Sequence, residues 1–585
     1  MKSIVWIAAG VLALAGCVTG PTGRGASDGS NAAGDYLSGR VAAGVNDIGA
    51  AADKYGAAVS ANPGDKEALR QAFFYHLAAG RVEAAQPFAM RLSIADKTDG
   101  LARIALAAPH LKRGALASAA EPLAGEFTES FSKSIAFLTN VWIEAERDGP
   151  AKALELLGAA PDDVFKGFNP AFAAILAEEA GDLDAARAAH ELAIGSFAGP
   201  AGREAYGAFL ERTGLERAGD QQAAQSFYET LERERGPARR AARAGLARLK
   251  KGQASKAYTD LSAAEGAALA LYNFSGNILE QSAGERARAF EAGFTIGQPQ
   301  FNLPLVLVQL AIYLDPSLAP ARQLAGSILN IYGNYDAARE VLAAIPPSSP
   351  YYEQAQIEVA GSLAAEEKLD EAIALMRSAV RADRSSEEMR LTLAGLYAER
   401  GRHDDAVAAA SDAIALLAEA PPDDAWRFFV ARAAALIELK RWPEAESDLK
   451  KAVAIAPEEP TALNYLGYSW AERGENLEEA FTLIEKAVAL APNSGAIIDS
   501  LGWAHYQLGR YTQALPHLEQ AASLEPGDPT ITDHLGDAYY RLGRKVEAEF
   551  QWRRALQLMP AEALKAVIEK KLVAGLASAD ARPSR

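Results

Sequence analysis

A stretch of about 100 residues, from Thr461 to Pro560, repeats its own pattern every 34 or 35 positions. Three of its segments align letter by letter: LGYSWAERG, LGWAHYQLG and LGDAYYRLG. The equivalent residues are Leu466, Gly467, Ala480, Ala487 and Pro492; Leu501, Gly502, Ala514, Ala521 and Pro526; and Leu535, Gly536, Ala548, Ala555 and Pro560. A period of this length is typical of stacked structural units, so it restricts the fold more than any other feature of the chain.

The residue types within each unit predict two antiparallel helices. Small residues such as Gly467 and Ala480 allow two helices to cross closely. Glycines at 474, 509 and 543 are expected to end each first helix, because glycine accepts the left-handed conformation. Prolines 492 and 526 cannot extend a helix and so end each second one. The pattern resembles the tetratricopeptide repeat (TPR), which implies an all-α TPR solenoid.

The second-helix alanine serves as a ruler for earlier repeats, although alanine is abundant in this chain and single matches are weak. The alanines at this spacing, called here the ruler alanines, are Ala51, Ala85, Ala119, Ala153, Ala186, Ala224, Ala257, Ala338, Ala372, Ala406, Ala445, Ala480, Ala514 and Ala548. Their common period predicts a superhelix of about fourteen helical hairpins.

The rhythm of the repeats divides the chain into segments. A degenerate TPR-like array is expected over 35–257 and a more regular TPR array over 321–560. Between them, AGFTIGQPQFNLP interrupts the pattern, so 258–320 is interpreted as a helical joint between two arrays or as a degenerate repeat. An amphipathic helix over 561–576 is expected to cap the last repeat, and 577–585 is expected to be disordered.

The amino terminus has the features of an export signal. Lys2 supplies a positive charge and residues 4–14 an apolar stretch, followed by Leu-Ala-Gly-Cys ending at Cys17. This ending resembles a bacterial lipobox, which implies a signal peptide over 1–16 and a lipid (palmitate-type) anchor on Cys17; the alternative is a plain signal peptide with an incidental cysteine. Val18 in place of aspartate implies an outer-membrane anchor in a Gram-negative cell, and 17–34 reads as a flexible tether.

Charge and composition exclude some classes of function. The formal net charge of −17 argues against a nucleic-acid partner. No internal run of 18 or more apolar residues occurs, so the body of the chain is not expected to span a membrane.

No catalytic constellation is found in the sequence. The seven histidines are His76, His110, His190, His403, His505, His517 and His534, and no two are three or four positions apart, as a helical metal site needs. The chain has no phosphate-binding loop and no nucleophile elbow. His505 aligns with Trp470 and Tyr539 of the neighbouring repeats, which favours a packing role. We therefore expect a protein that is not an enzyme and holds no cofactor or metal.

First-helix positions that line the concave face of a TPR array supply candidate partner-binding residues. They are Asn464, Tyr468, Asp499, Trp503, Tyr506, Asp533, Asp537 and Tyr540. Aromatic and acidic side chains at exposed positions suit an extended peptide with basic or apolar residues; alternatively, Tyr506 and Tyr540 only pack against adjacent helices. The acids argue against a basic clamp for a terminal carboxylate.

A basic patch stands out in this acidic chain. It consists of Arg239, Arg240, Arg243, Arg248, Lys250 and Lys251. The patch could dock an acidic partner, anionic lipid or cell-wall polymer, or it could be a solvated helix face.

Residues 460–560 are also similar to a particular group of large proteobacterial TPR lipoproteins. One member of that group is the adaptor of a periplasmic carboxyl-terminal processing protease. The resemblance implies a scaffold on the periplasmic face of the outer membrane that brings the protease to cell-wall hydrolases. The alternatives are a structural subunit of an envelope assembly, secretion or polysaccharide export complex, and an enzyme with a site hidden in 258–320, for which no residues are evident.

Overall fold

Helices make up nearly all of the structure. The computed structural model describes residues 31–162, 164–196, 216–217, 220–232, 236–253, 261–291, 302–417 and 423–576. This part of the chain contains no β-strand, and none of its helices is both long and apolar enough to cross a membrane. Two compact units divide at residue 375: an N-terminal unit, described from residue 31, and a C-terminal unit, described to residue 576. The predicted all-α fold is confirmed.

The helices are short and follow one another closely. In chain order they are α1 Ala32–Gly44, α2 Ile48–Ala61, α3 Lys66–Ala78, α4 Val82–Ala95, α5 Gly100–Lys112, α6 Leu116–Leu123, α7 Ser130–Asp148, α8 Pro150–Gly158, α9 Asn169–Glu179, α10 Leu183–Ser196, α11 Gln221–Leu231, α12 Gly236–Lys250, α13 Ala263–Glu291, α14 Asn302–Leu314, α15 Ala319–Ile331, α16 Tyr335–Ala343, α17 Tyr352–Ala365, α18 Leu369–Ala382, α19 Glu387–Glu399, α20 His403–Ile414, α21 Trp426–Glu438, α22 Trp442–Ile455, α23 Pro460–Arg473, α24 Leu477–Leu490, α25 Gly495–Gln507, α26 Tyr511–Leu524, α27 Pro529–Arg541, α28 Lys545–Gln557 and α29 Glu562–Ala574. A 3-10 turn, Asp423–Ala425, precedes α21.

The ruler alanines mark the second helix of each hairpin, as the sequence predicts. Thirteen of the fourteen lie in the described ranges, and Ala257 lies outside them. Each of the thirteen is the fourth residue of its helix and at most 2 % exposed. A methyl side chain at this position lets the first helix of the hairpin approach closely, and that approach explains the period.

Glycine ends the first helices of the last three repeats. Gly474, Gly509 and Gly543 have φ values of 69°, 73° and 81°, the left-handed region that side chains with a Cβ rarely adopt. The next helix then begins at a defined point. At α27, for example, the Asp528 carboxylate accepts hydrogen bonds from the backbone N–H groups of Thr530 and Ile531.

Helix α14 and the first half of α13 lie largely buried in the N-terminal unit. In α14, Leu305 to Leu310 are at most 8 % exposed, and the first half of α13 is buried in the same way. Helix α14 packs against α3 and α5, and α13 packs against α7. The partners α3, α5 and α7 are first helices of their hairpins, so α13 and α14 fill the face that those first helices form. A helix that is apolar all round requires such an enclosed place.

This packing bears on the expected joint at 258–320. The described residues of that segment belong to the core of the N-terminal unit, and the division between the two units lies at 375/376 instead.

Several expectations concern the ends of the chain. The signal peptide, Cys17, Val18 and the tail 577–585 lie outside the described residues. Helix α1 begins at Ala32, with the Asn31 side chain accepting from Ala33 N at 3.2 Å, so residues 32–34 of the predicted tether are helical; residues 17–30 of it lie outside the described residues. The helix expected over 561–576 corresponds to α29.

Candidate functional site

The glycine of each first helix marks the side of that helix that packs against the second helix. A Cβ added at Gly467 would lie 2.7 Å from Ile484 Cγ1, and one at Gly536 would lie 2.6 Å from Trp552 Cδ1. These glycines therefore press against the second helix. Because successive residues of an α-helix are about 100° apart, the residues three before and one after each glycine lie side by side on an adjoining flank of α23, α25 and α27.

A cavity of about 260 Å³ lies between these three first helices. Its lining includes Asn464, Tyr465, Tyr468, Asp499, Ser500 and His534. Three of the eight predicted partner-binding residues, Asn464, Tyr468 and Asp499, thus meet at one cavity. We call this lining the C-terminal groove.

Asn464 carries an unused acceptor in the C-terminal groove. Its side chain is 6 % exposed, and Oδ1 is buried without a hydrogen-bond partner among the described residues. Beside it, burial raises the pKa of Tyr465 to about 12, so this phenol keeps its proton at neutral pH. A buried carbonyl without a partner costs about 1–3 kcal/mol, which an N–H donor from a ligand would recover.

Asp499 and His534 form one wall of the groove. The Asp499 carboxylate lies 2.9 Å from His534 Nδ1. Burial alone lowers the pKa of His534, but the Asp499 carboxylate outweighs it, and the pKa lies above its ordinary value. The Trp503 ring stacks on His534 with 3.9 Å between centroids and on Tyr506 with 4.6 Å. The wall is therefore an ordered stack of rings with the hydrogen-bonded Asp499–His534 pair at one end.

The predicted partner-binding residues were expected to be exposed, but most of them are buried. Asn464, Asp499, Tyr506, Asp533 and Asp537 are all at most 9 % exposed. Tyr506 packs against Trp503, and its hydroxyl accepts a hydrogen bond from Arg541 Nε at 3.2 Å, which agrees with the packing alternative for this tyrosine.

The candidates on α27 are covered by the last helix. Lys571 Nζ of α29 lies 2.7 Å from Asp533 Oδ2 and 2.8 Å from Asp537 Oδ2. Trp552 Nε1 donates to Asp537 Oδ1 at 2.9 Å, and a Cβ at Gly575 would lie 2.1 Å from the Tyr540 hydroxyl. Asp533, Asp537 and Tyr540 are therefore covered by α29 and the residue after it, and the single Lys571 ammonium group pairs with both carboxylates.

The basic patch is largely paired within the chain. Arg240 NH1 lies 2.9 Å from Glu353 Oε2, and Arg248 NH2 lies 2.9 Å from Glu216 Oε1. The other members are Arg239, which is buried, Arg243, which pairs with Glu232, and the exposed Lys250 and Lys251. The basic surface available for docking is thus reduced, because Glu353, Glu216 and Glu232 neutralise part of the patch.

Among the described residues, no group of three or more histidine, cysteine, aspartate or glutamate side chains could hold a metal ion. His505 packs as expected, with its ring centroid 4.9 Å from that of Phe481 and 5.6 Å from that of His517. Burial lowers the pKa of His505.

Sequence reasoning missed Tyr465 and His534. His534 lies 35 residues after Asp499, which is one repeat, so an acid and a histidine one period apart were a usable signal. Tyr465 gives no such signal, because a tyrosine between two apolar helix positions looks like ordinary core.

Comparison with known sequences identifies the repeats. Tetratricopeptide repeat profiles match residues 363–426, 430–495 and 500–563. Residues 363–563 are tetratricopeptide repeats. Such repeats typically form non-catalytic scaffolds that bind proteins or peptides on an extended surface. No curated protein has a matching sequence.

Similar solved structures are repeat proteins as well. A tetratricopeptide repeat protein from Parabacteroides merdae is 17 % identical with a TM-score of 0.36, over 43 % of this chain and 96 % of that one. The APC/C hetero-tetramer Cut9–Hcn1 is 14 % identical with a TM-score of 0.38, over 93 % and 96 %. YrrB, a TPR protein with an unusual peptide-binding site, is 17 % identical with a TM-score of 0.24, over 33 % and 97 %. Similarities this low carry no information on partners.

Proposed function

We propose that this protein is a non-catalytic scaffold that binds an extended peptide in the C-terminal groove. The observation that carries the proposal is the unpartnered Asn464 Oδ1 beside a cavity of about 260 Å³. A peptide N–H is the donor that this oxygen lacks, and the partly exposed Tyr468 offers an aromatic surface for a side chain.

The scaffold would act from a membrane. A lipid anchor on Cys17, at the periplasmic face of the outer membrane, would hold the protein close to envelope enzymes. In this arrangement the scaffold binds a carboxyl-terminal processing protease together with its cell-wall hydrolase substrates. A tether of this kind converts the second encounter into one at an effective concentration of about a millimolar.

Site-specific crosslinking tests where the peptide binds. A photoreactive p-benzoyl-phenylalanine replaces Tyr468 in the groove and, as a matched control, Phe550 on second helix α28, whose side chain is 65 % exposed. We expect captured protein at position 468 and none at position 550. Equal capture at both positions would show that contact follows exposure and not the groove.

A reconstituted reaction tests the adaptor role. Lipidated protein on vesicles is mixed with a processing protease and a cell-wall hydrolase, and the cleavage rate is compared with that of the Cys17→Ser variant, which lacks the anchor. We expect acceleration by at least tenfold only with the anchored protein. A stoichiometric complex with outer-membrane proteins and no acceleration would favour the envelope-assembly alternative.

A further inference from the structure

A second polar cluster lies on first helices of the N-terminal unit, outside the groove already described. Gln323 and Ser327 of α15 stand three residues before and one after Gly326. Asn464 and Tyr468 hold the same places relative to Gly467. Gly326 also presses on its second helix, since a Cβ there would lie 2.4 Å from Leu342 Cγ. The two clusters therefore occupy equivalent positions of their repeats.

We propose that this cluster is a binding site for a lysine or arginine side chain of a partner segment, with the Glu358 carboxylate as its anionic group. Ser327 Oγ donates to Glu358 Oε1 at 2.7 Å, and Gln354 Nε2 lies 3.3 Å from the same oxygen. The other oxygen, Oε2, is buried and has no partner among the described residues. Glu358 Oε2 is thus available to accept hydrogen bonds from a ligand.

The unfilled groups are mostly acceptors. Besides Glu358 Oε2, the buried Gln323 Oε1 and Asn330 Oδ1 accept no hydrogen bond from the described residues, and Gln323 Nε2 donates none to them. Gln323 is 8 % exposed. A ligand that satisfies three oxygens must donate several hydrogen bonds, and a positive charge on it would stabilise the ionised form of the Glu358 carboxyl. An ammonium or guanidinium group has both properties.

Among the described residues, Glu358 has only neutral hydrogen-bond partners and forms no ion pair. Burial raises the pKa of Glu358, and the nearby Ser327, Gln354, Gln323 and Asn330 side chains only partly oppose this. The arginines of the adjoining helices are used elsewhere: Arg322 Nε donates to Pro316 O at 2.7 Å, and Arg339 pairs with Glu366 at 2.6 Å. A buried charge without a partner is costly, so a cation from outside would be bound favourably.

The donor set distinguishes a side chain from a metal ion. Calcium takes six to eight oxygen ligands and usually several carboxylates, whereas this cluster offers a single carboxylate. Hydrogen-bond acceptors grouped around one negative charge suit an organic cation better.

Labelled peptides test the site on the full-length mature chain. Fluorescence polarisation compares acetyl-GGKGG-amide and acetyl-GGRGG-amide with acetyl-GGQGG-amide, each carrying the same dye. We expect the lysine or arginine peptide to bind at least tenfold more tightly than the glutamine peptide. Glu358→Gln should abolish that preference, whereas the matched control Glu340→Gln, at an exposed position of α16, should preserve it. Equal binding of all three peptides, or a preference that survives Glu358→Gln, would overturn the proposal.

Thermal unfolding provides a second readout. Glu358→Gln should raise the unfolding midpoint of the free protein, because it removes an uncompensated buried carboxylate, and the lysine peptide should raise the midpoint of wild type only. A lower midpoint for Glu358→Gln would mean that the carboxylate is satisfied within the protein. Tyr468→Ala should leave this peptide preference unchanged, so failure of the C-terminal groove and failure of this site are separable.

Discussion

The two units use the same helical hairpin and treat its first-helix face in opposite ways. In the N-terminal unit, α13 and α14 fill the face formed by α3, α5 and α7 with fully buried apolar side chains. In the C-terminal unit, the face formed by α23, α25 and α27 retains a cavity lined by Asn464, Asp499 and His534. The hairpin therefore does not decide between a closed core and an open groove. Whether the first-helix face is closed depends on whether the chain also supplies apolar helices, outside the repeat pattern, that pack onto it.

The difference is also one of polarity. Leu305, Leu307 and Leu310 are completely buried among apolar neighbours, an arrangement that favours stability. In the C-terminal groove, Asn464 keeps an unpartnered acceptor, which costs stability and is kept for a ligand in our proposal.

The largest expected effect on stability concerns the ion pairs that hold α29 against the C-terminal unit. Lys571→Met leaves Asp533 and Asp537 buried without their cation, so we expect the free energy of unfolding to fall by about 3–5 kcal/mol. Urea unfolding of this variant and of Lys570→Met, which alters an exposed position on the same helix, measures it. Equal stability of the two variants would mean that α29 is held by apolar contacts alone.

In the N-terminal unit, α14 is held in place by apolar packing instead. Leu307→Ala removes a fully buried side chain from α14 and should lower the free energy of unfolding by about 2–5 kcal/mol. Ile94→Ala, at a side chain that is 72 % exposed, is the control and should change it by less than about 0.5 kcal/mol. Should both variants unfold alike, α14 would not be part of the core.

The open groove should respond in binding and not in stability. In the vesicle assay, Tyr468→Ala should require about ten times more scaffold for half-maximal acceleration. This corresponds to a loss of about 1.4 kcal/mol in binding free energy. Phe550→Ala removes an exposed aromatic side chain from α28 and should leave that concentration unchanged. A loss of binding that follows a loss of folded protein would contradict this division.

The smallest effect is a pH dependence confined to the C-terminal unit. Burial and the neighbouring Asp533 carboxylate raise the pKa of Asp537 to about 6, above about 3.9 for an unfolded chain. Because the folded state holds the proton more tightly, this group favours folding at pH 4, and that contribution is lost as the pH rises through 6. The stability of wild type relative to Asp537→Asn should therefore fall between pH 4 and pH 6.5. In Glu549→Gln, altered at an exposed site on α28, the profile should match wild type.

Much of the repeat architecture could be predicted because it depends on local spacing. The ruler alanines and the glycines at 474, 509 and 543 act within one hairpin, and the same steric requirement recurs in each. The groove followed in part: Asn464, Tyr468 and Asp499 are fixed by their distance from a glycine.

The rest depends on residues far apart in the chain. Lys571 lies 38 residues from Asp533, and Arg240 lies 113 residues from Glu353, so repeat spacing did not reveal that these charges neutralise one another. The filling role of α13 and α14 was missed for the same reason, since their contacts are with repeats near the amino terminus.

The buried helix α14 has a consequence for the order in which the chain can fold. Tyr313 of α14 donates a hydrogen bond to Glu83, 230 residues earlier, so the N-terminal unit cannot be completed until α14 has been made. Contacts of such sequence separation slow folding and make it cooperative. The C-terminal unit, whose repeats contact mainly their neighbours, can fold one hairpin at a time. In a chain that emerges with its amino terminus first, the earliest repeats would therefore remain incompletely packed for the longest time.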